Sequence, residues 1–399
     1  MFAMSANAAD GTIGTVSVQK GNNVSVNGEA PLSLTLDGKD HQSCQFLSKR
    51  APDESHEFTW KEVTTTRGGE LAEILGDQLR SVDSLVVKGN VNDKDFHAMW
   101  DASLYGYLSV INLKNAVLEN NAVPDTAFFH ENEQYEGSSH EIFYYIGLRK
   151  IILPEGLEKI GEGAFYQASA LRQVNFPSTL RYIGDFAFNA TKLEMNQLVI
   201  PEGVEEINQY AFAFCRKLKA QVTLPSTIKK IGEWAFYGCP ITSINLPEGL
   251  ESLGSLAFWD CDLREVSIPS SCHEFNEGWQ FGFNRNLEKM HLPEGMTEIP
   301  DHFAVDCFRL REVNFPHTLK HIGEKAFSLC ISLKNVDLPL GMQSLGEEAF
   351  SELEALEQIV FPASMKSLGK NSCSYWKNIK RIYCAAMEPP VCDPTDGGV

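Results

Sequence analysis

His317 and His321 stand four residues apart, the spacing at which one face of a helix offers two imidazoles to a metal ion. They flank a P-x-x-L turn, and no Glu lies between them to act as general base, so the pair reads as structural. Ten cysteines could supply thiolates for metal or nucleophilic chemistry. No C-x-x-C occurs, which removes the usual zinc spacing, and no His recurs beside the cysteines to form a nucleophilic pair. Glycines in the repeats come one per coil, without a cluster that could cradle phosphate. No catalytic residue, no metal site and no cofactor are expected.

The elements that carry these residues repeat. A proline returns every 22 to 24 residues from Pro154 to Pro362, within a pattern close to L-x-x-V-x-L-P-x-G-L-x-x-I-G-x-x-A-F-x-x-C. A fixed period of this size means stacked units that bury one another's apolar faces. In the unit around Pro177, Leu171, Val174 and Phe176 are predicted to point inward, with Gln173 and Asn175 outward. Pro177 ends the strand. Leu180 and Ile183 then pack inward, and a brief helical turn buries Ala187 and Phe188. Gly184 recurs as Gly161, Gly232, Gly254, Gly323, Gly346 and Gly369, with Asn208 and Asn276 as substitutes, which suggests a positive φ. Pro300 in that slot predicts a different turn for its coil.

The same phase assigns the cysteines. Cys215, Cys239, Cys261, Cys307 and Cys330 lie three residues after the A-F pair, Cys272 and Cys384 fill Leu slots and Cys373 a Phe slot. These eight are expected to be reduced core residues, since a free Cys packs as a small hydrophobe. Cys44 and Cys392 fall outside that reading.

Composition agrees with a continuous core: 43% hydrophobic and 10% aromatic residues. The net charge of −19 repels phosphate backbones and argues against nucleic acid as a partner. No apolar run is long enough for a membrane span. Residues 1–9 read as a signal-peptide remnant or a disordered end, with Ala6-Asn7-Ala8 in the small-x-small form. Residues 10–66 read as an N-terminal β segment or cap, and 67–150 as degenerate repeats with helices over 70–79 and 93–100. The solenoid proper spans 151–384, and 385–399 reads as a polar tail, with truncation of a longer chain as the alternative. A polar loop is expected over 119–141.

The motif Leu157-x-x-Ile160-Gly161-x-x-Ala164-Phe165 under a P-x-x-L turn resembles the BspA-like leucine-rich repeat family. That resemblance implies a right-handed α/β repeat solenoid with a parallel sheet, short helical turns and a small N-terminal β cap. It also implies an exported bacterial protein, secreted or on the cell surface. The implied function is non-catalytic adhesion-type binding of a host or neighbouring-cell protein. Self-association in a surface layer is the alternative, and glycan binding ranks third.

Two surfaces compete for that role. The solvent face of the strands is an amide-rich ladder from Gln173/Asn175 to Arg381/Tyr383, nearly free of aromatics. The slot before the repeated Ala holds Phe186, Tyr210, Trp234, Leu256 and Trp279 in five consecutive coils, then His302, Lys325, Glu348 and Asn371. Tyr237 and Trp259 lie just beyond the A-F pair. The bland interpretation is a wider core; the sharper one is an aromatic binding stripe of Phe186, Tyr210, Trp234, Tyr237, Trp259 and Trp279.

Overall fold

The computed structural model describes residues 57–129 and 146–392, together with the backbone of three short strands, Val16–Val18, Val24–Val26 and Glu29–Leu32. Those three strands form an antiparallel sheet within the segment read as a cap. The readings of residues 1–9, Cys44, most of the 119–141 loop and the last seven residues lie outside the described residues. The rest divides into two compact units: 57–120, 126–129, 146–154 and 168–175 in one, and 121–125, 155–167 and 176–392 in the other.

The first unit is a five-stranded parallel sheet in the order Gln173–Val174, Lys150–Ile152, Val110–Leu118, Ser84–Val91 and Trp60–Thr65. Trp60–Thr65, inside the predicted cap segment, is therefore an edge strand of the parallel sheet. Helices Leu71–Leu75 and Asp93–Tyr105 start in the stretches predicted, the first giving way to a 3₁₀ turn over Gly76–Ser81 and the second running on past residue 100. Asp95, 1% exposed, accepts hydrogen bonds from the N–H groups of Gly69, Leu71 and Asn92. That buried carboxylate is fully employed in tying the helix start to the neighbouring coil.

The second unit stacks parallel two-residue strands in register, Ile160 on Ile183 on Ile207 on Ile231 on Leu253 on Phe275. A second run begins at Glu298–Ile299 and continues to Val391–Cys392. The interruption falls where Pro300 stands. Gly184 N donates to Ile160 O at 2.9 Å and Gly323 N to Ile299 O at 2.8 Å, whereas a proline has no N–H to give. The coil itself still turns as its neighbours do, against expectation.

The repeated glycine also serves a different purpose from the one expected. Gly184 and its equivalents are not in the left-handed region. A Cβ at Gly184 would lie 2.6 Å from the backbone N of Glu162, so glycine is needed for coil-to-coil approach. Where Asn208 replaces it, the side-chain amide donates to Ile183 O at 2.6 Å in place of the backbone.

Cys384 corrects the core assignment. It sits on Arg381–Cys384, the end strand of its sheet, which is exposed throughout. Ile382 is 58% exposed although its partner Ile359 is 1% exposed, because no described coil follows to cover it. Cys373 is only partly buried.

Candidate functional site

The side chains of the candidate stripe are set by an unusual backbone. Phe186, Tyr210, Trp234, Leu256 and Trp279 have φ between 55° and 67°. This is the left-handed region, costing roughly 1–2 kcal/mol for a residue with a Cβ. The N–H of Phe186 donates to Gln209 O (3.0 Å), that of Tyr210 to Glu233 O (2.9 Å) and that of Trp234 to Ser255 O (2.9 Å). Phe188 and Ala190 repeat the move to Ala211 O and Ala213 O, both at 2.8 Å, while Ala187 and Asn189 bond back within their own coil. Alternate N–H groups thus form rungs to the next coil. A helical turn would direct them back within their own coil, and no α-helix occurs among the described residues of this unit.

These rungs hold two parallel columns of rings. The repeated Phe forms a fully buried one: Phe188, Phe212, Phe236 and Phe258 stack at 5.3–5.6 Å within 10° of parallel. Beside it Phe186 stacks on Tyr210 (4.7 Å, 8°) and Tyr210 on Trp234 (5.3 Å, 14°). Tyr237 packs against Trp234 at 4.3 Å. Trp259 and Trp279 form a second cluster (5.2 Å), and Trp279 stacks on His302 at 3.6 Å and 8°. All six candidate residues are half-buried. They are neither solvent-exposed side chains nor core.

Reasoning from sequence ended the stripe at Trp279 and missed His302, whose identity in the same slot was the available signal. His302 Nδ1 is buried without a hydrogen-bond partner, and burial, opposed by Glu324, holds its pKa below the ordinary value. Phe214 and Phe283 were also missed. They fill a second left-handed slot, pack on Tyr237 and Trp259, and carry Arg216 and Arg285 over their rings.

The other candidates are structural. His317 Nδ1 meets Glu294 Oε1 at 3.0 Å, while His321 Nδ1 meets Ser344 Oγ at 2.7 Å, so the two do not converge. No metal-binding group of three or more His, Cys, Asp or Glu occurs among the described residues. All nine described cysteines are free. The column thiols do more than pack: Cys215, Cys239 and Cys261 donate to Phe188 O, Phe212 O and Phe236 O at 3.1, 2.9 and 3.3 Å. Asn284 makes the equivalent bond to Phe258 O at 2.7 Å. Burial pushes Cys307 up to about 12, which leaves it an unreactive thiol.

The amides of the strand face are partly committed as well. Asn314 receives Leu292 N at 2.8 Å and donates to Leu292 O at 3.0 Å, beside the ladder position that Pro316 leaves without a donor. Asn175 does the same for Leu153 and Asn245 receives Leu224 N.

Comparison with known proteins agrees with these coils. The sequence profile described as "BspA type Leucine rich repeat region (6 copies)" matches residues 138–221, 219–327 and 302–387. The chain belongs to this leucine-rich repeat family. Among curated proteins there is no significant match. The crystal structure of a leucine-rich repeat protein from Bacteroides ovatus is similar over 94% of each chain, at 20% identity and TM-score 0.54, which bears on the fold alone. A leucine rich cell surface protein from Faecalibacterium prausnitzii matches 66% of this chain and 83% of its own, at 21% identity and TM-score 0.37. The pneumococcal vaccine antigen PcpA matches 94% and 89%, at 17% identity and TM-score 0.39. Repeats of this family are typical of bacterial surface proteins, and their solenoids are typically non-catalytic. No described helix is long and apolar enough to cross a membrane.

Proposed function

We propose that this chain is a non-catalytic binding protein of the bacterial exterior. It engages a host or neighbouring-cell protein through the turn-side row of Phe186, Tyr210, Trp234, Tyr237, Trp259 and Trp279. One observation carries the reading: the left-handed backbone of this slot recurs in every coil, yet Phe, Tyr and Trp fill it only between Phe186 and Trp279, with Leu256 the one aliphatic residue among them. His302, Lys325, Glu348 and Asn371 adopt the same conformation with φ of 51–56°. The fold therefore tolerates non-aromatic residues there, and the aromatic choice needs another reason. Half-buried Tyr and Trp, with Arg nearby, are the residue types that dominate interface energetics.

The test separates binding from folding. Trp234→Ala and Trp259→Ala should weaken capture from a panel of host extracellular proteins more than they lower the melting temperature. Unchanged capture with a collapsed melting temperature would return the row to the core.

Self-association is favoured by a different observation. Strand Arg381–Cys384, the end strand of its sheet, leaves Ile382, Tyr383 and Cys384 exposed with one edge unpaired among the described residues, a template for another strand. Light scattering across concentration separates this second reading from the first. Glycan binding through ring faces finds less support, because the rings of the Phe186 to Trp234 column cover one another's faces.

A further inference from the structure

Phe186, Tyr210 and Trp234 stack face to face and so present their edges outward. The polar atoms on those edges are unused. Among the described residues, the hydroxyls of Tyr210 and Tyr237 and the indole N–H groups of Trp234, Trp259 and Trp279 have no hydrogen-bond partner. None of these atoms is sealed from solvent. Trp376 shows what the fold does when it closes such a donor, since its Nε1 donates to Phe350 O at 2.7 Å. Tyr and Trp with a wet polar tip beside an apolar body are typical of contact surfaces.

The electrostatic setting from Phe186 to Trp234 is negative, while Arg285 lies over Phe283 at the Trp259 end. Glu233 lies next to Trp234 in the chain and has no ion-pair partner among the described residues. Asp185 precedes Phe186, its carboxylate receiving only the N–H of Gln209 at 3.1 Å. Asp260 is neutralised by Arg216 at 2.9 Å. Burial raises the phenol pKa of Tyr210 and of Tyr237, and Glu233 and Asp260 respectively add to it. The whole chain carries −19. An anionic ligand is disfavoured beside Asp185 and Glu233, and a neutral sugar finds few free ring faces.

We infer that the row takes an extended, basic polypeptide segment, whose backbone carbonyls accept from the tyrosine hydroxyls and indole N–H groups. Its lysine or arginine side chains meet Asp185 and Glu233. This inference rests on the binding role proposed above and adds the partner's chemistry. Hydrogen-bond acceptors, apolar side chains and positive charge occur together in a polypeptide, and the row offers the complement of each.

The experiment titrates the full chain with three synthetic peptides of equal length, alternating valine with lysine, serine or glutamate. Calorimetry should show the lysine peptide binding most tightly, with an affinity that falls as salt rises. Trp234→Ala should weaken that binding about tenfold or more. The paired variant Tyr210→Phe with Tyr237→Phe keeps the stack and removes two donors, and should weaken it several-fold at an unchanged melting temperature. Reversing the field with Asp185→Lys and Glu233→Lys should move the preference toward the glutamate peptide. If all three peptides bind equally and Trp234→Ala abolishes them, the charge inference falls while the site stands. If the tryptophan and tyrosine variants leave binding untouched, or no peptide binds, the row as a peptide site is overturned.

Discussion

Trp234 and Lys325 occupy the same slot four coils apart, with φ of 57° and 51°. Their N–H groups make the same rung, to Ser255 O at 2.9 Å and Glu347 O at 2.8 Å. On the first region's surface the slot builds an aromatic stack. In the second it builds a charged ladder, with Lys325 Nζ at 2.9 Å from Glu324 and 3.7 Å from Glu348. The backbone thus fixes the place and leaves the chemistry free. Both ladders hold neighbouring coils together, but only one of them keeps apolar edges and idle donors at the surface.

The largest effect should be the same in both regions. Phe236→Ala and Phe327→Ala remove rings from the buried column, where each is 0% exposed. Each should cost about 3–5 kcal/mol in denaturant unfolding. A much smaller cost at Phe327 would mean that the second region is loosely packed, and the comparison of slots would lose its common scaffold.

Next comes the slot itself. Glycine adopts a positive φ freely, so it trades the side chain for relief of strain. Trp234→Gly loses a half-buried ring stacked on Tyr210 and should destabilise by roughly 1–3 kcal/mol. Glu348→Gly loses a partly exposed ion pair worth about 0–1 kcal/mol and should be nearly neutral. Equal melting temperatures for the two variants would show that the aromatic stack contributes no more to folding than the charged one. Its role would then lie entirely in contact with a partner.

A second alternation was written in the sequence and escaped reading. Coils with Glu-Gly after the proline alternate with coils bearing Ser-Thr, Ser-Ser or His-Thr, from Glu155-Gly156 to His317-Thr318. Glu202 accepts from the N–H and hydroxyl of Ser226 at 3.1 and 3.0 Å. Gly203 N donates to Thr227 Oγ1 at 2.9 Å, which donates on to Val204 O at 2.8 Å. Gly203, at φ 96°, is where glycine's left-handed freedom is used. Thr227→Val should cost about 1–2 kcal/mol by orphaning those partners. A null result in thermal unfolding would mean water replaces the hydroxyl.

The core was legible because its residues recur: Ile183, Ala187 and Phe188 are buried where the period puts them. The left-handed slot was not, because most of its occupants are large or charged residues such as Trp234, Lys325 and Glu348, and Gly163 and Asn371 at its two ends are too few to mark a positive φ. The slot that does show Gly and Asn, at Gly184 and Asn208, owes it to crowding between coils, which composition alone does not distinguish from strain. Cys384 misled for a third reason. A repeat slot predicts burial only when another coil covers it.

The smallest effect should appear at the junction of the two ladders. His302 is stacked on Trp279 and faces Glu324, Lys325, Asp301 and Glu348, with Nε2 3.7 Å from the Glu324 carboxylate. Burial outweighs the three carboxylates and holds the folded pKa below the unfolded value of about 6.5. The unfolded chain therefore binds the proton more readily, so the stability gained from neutral His302 is present above about pH 6.5 and declines as the pH falls. His302→Phe keeps a ring on Trp279 and removes the titration. The melting temperature of the parent relative to this variant should drop between about pH 7.5 and 5.5, in a window around the unfolded value. Titrations elsewhere in the chain cancel in that difference. A difference that rises with acid would mean that the imidazolium gains more from Trp279 and Glu324 than it loses by burial. The charged ladder would then begin at His302 and not at Lys325.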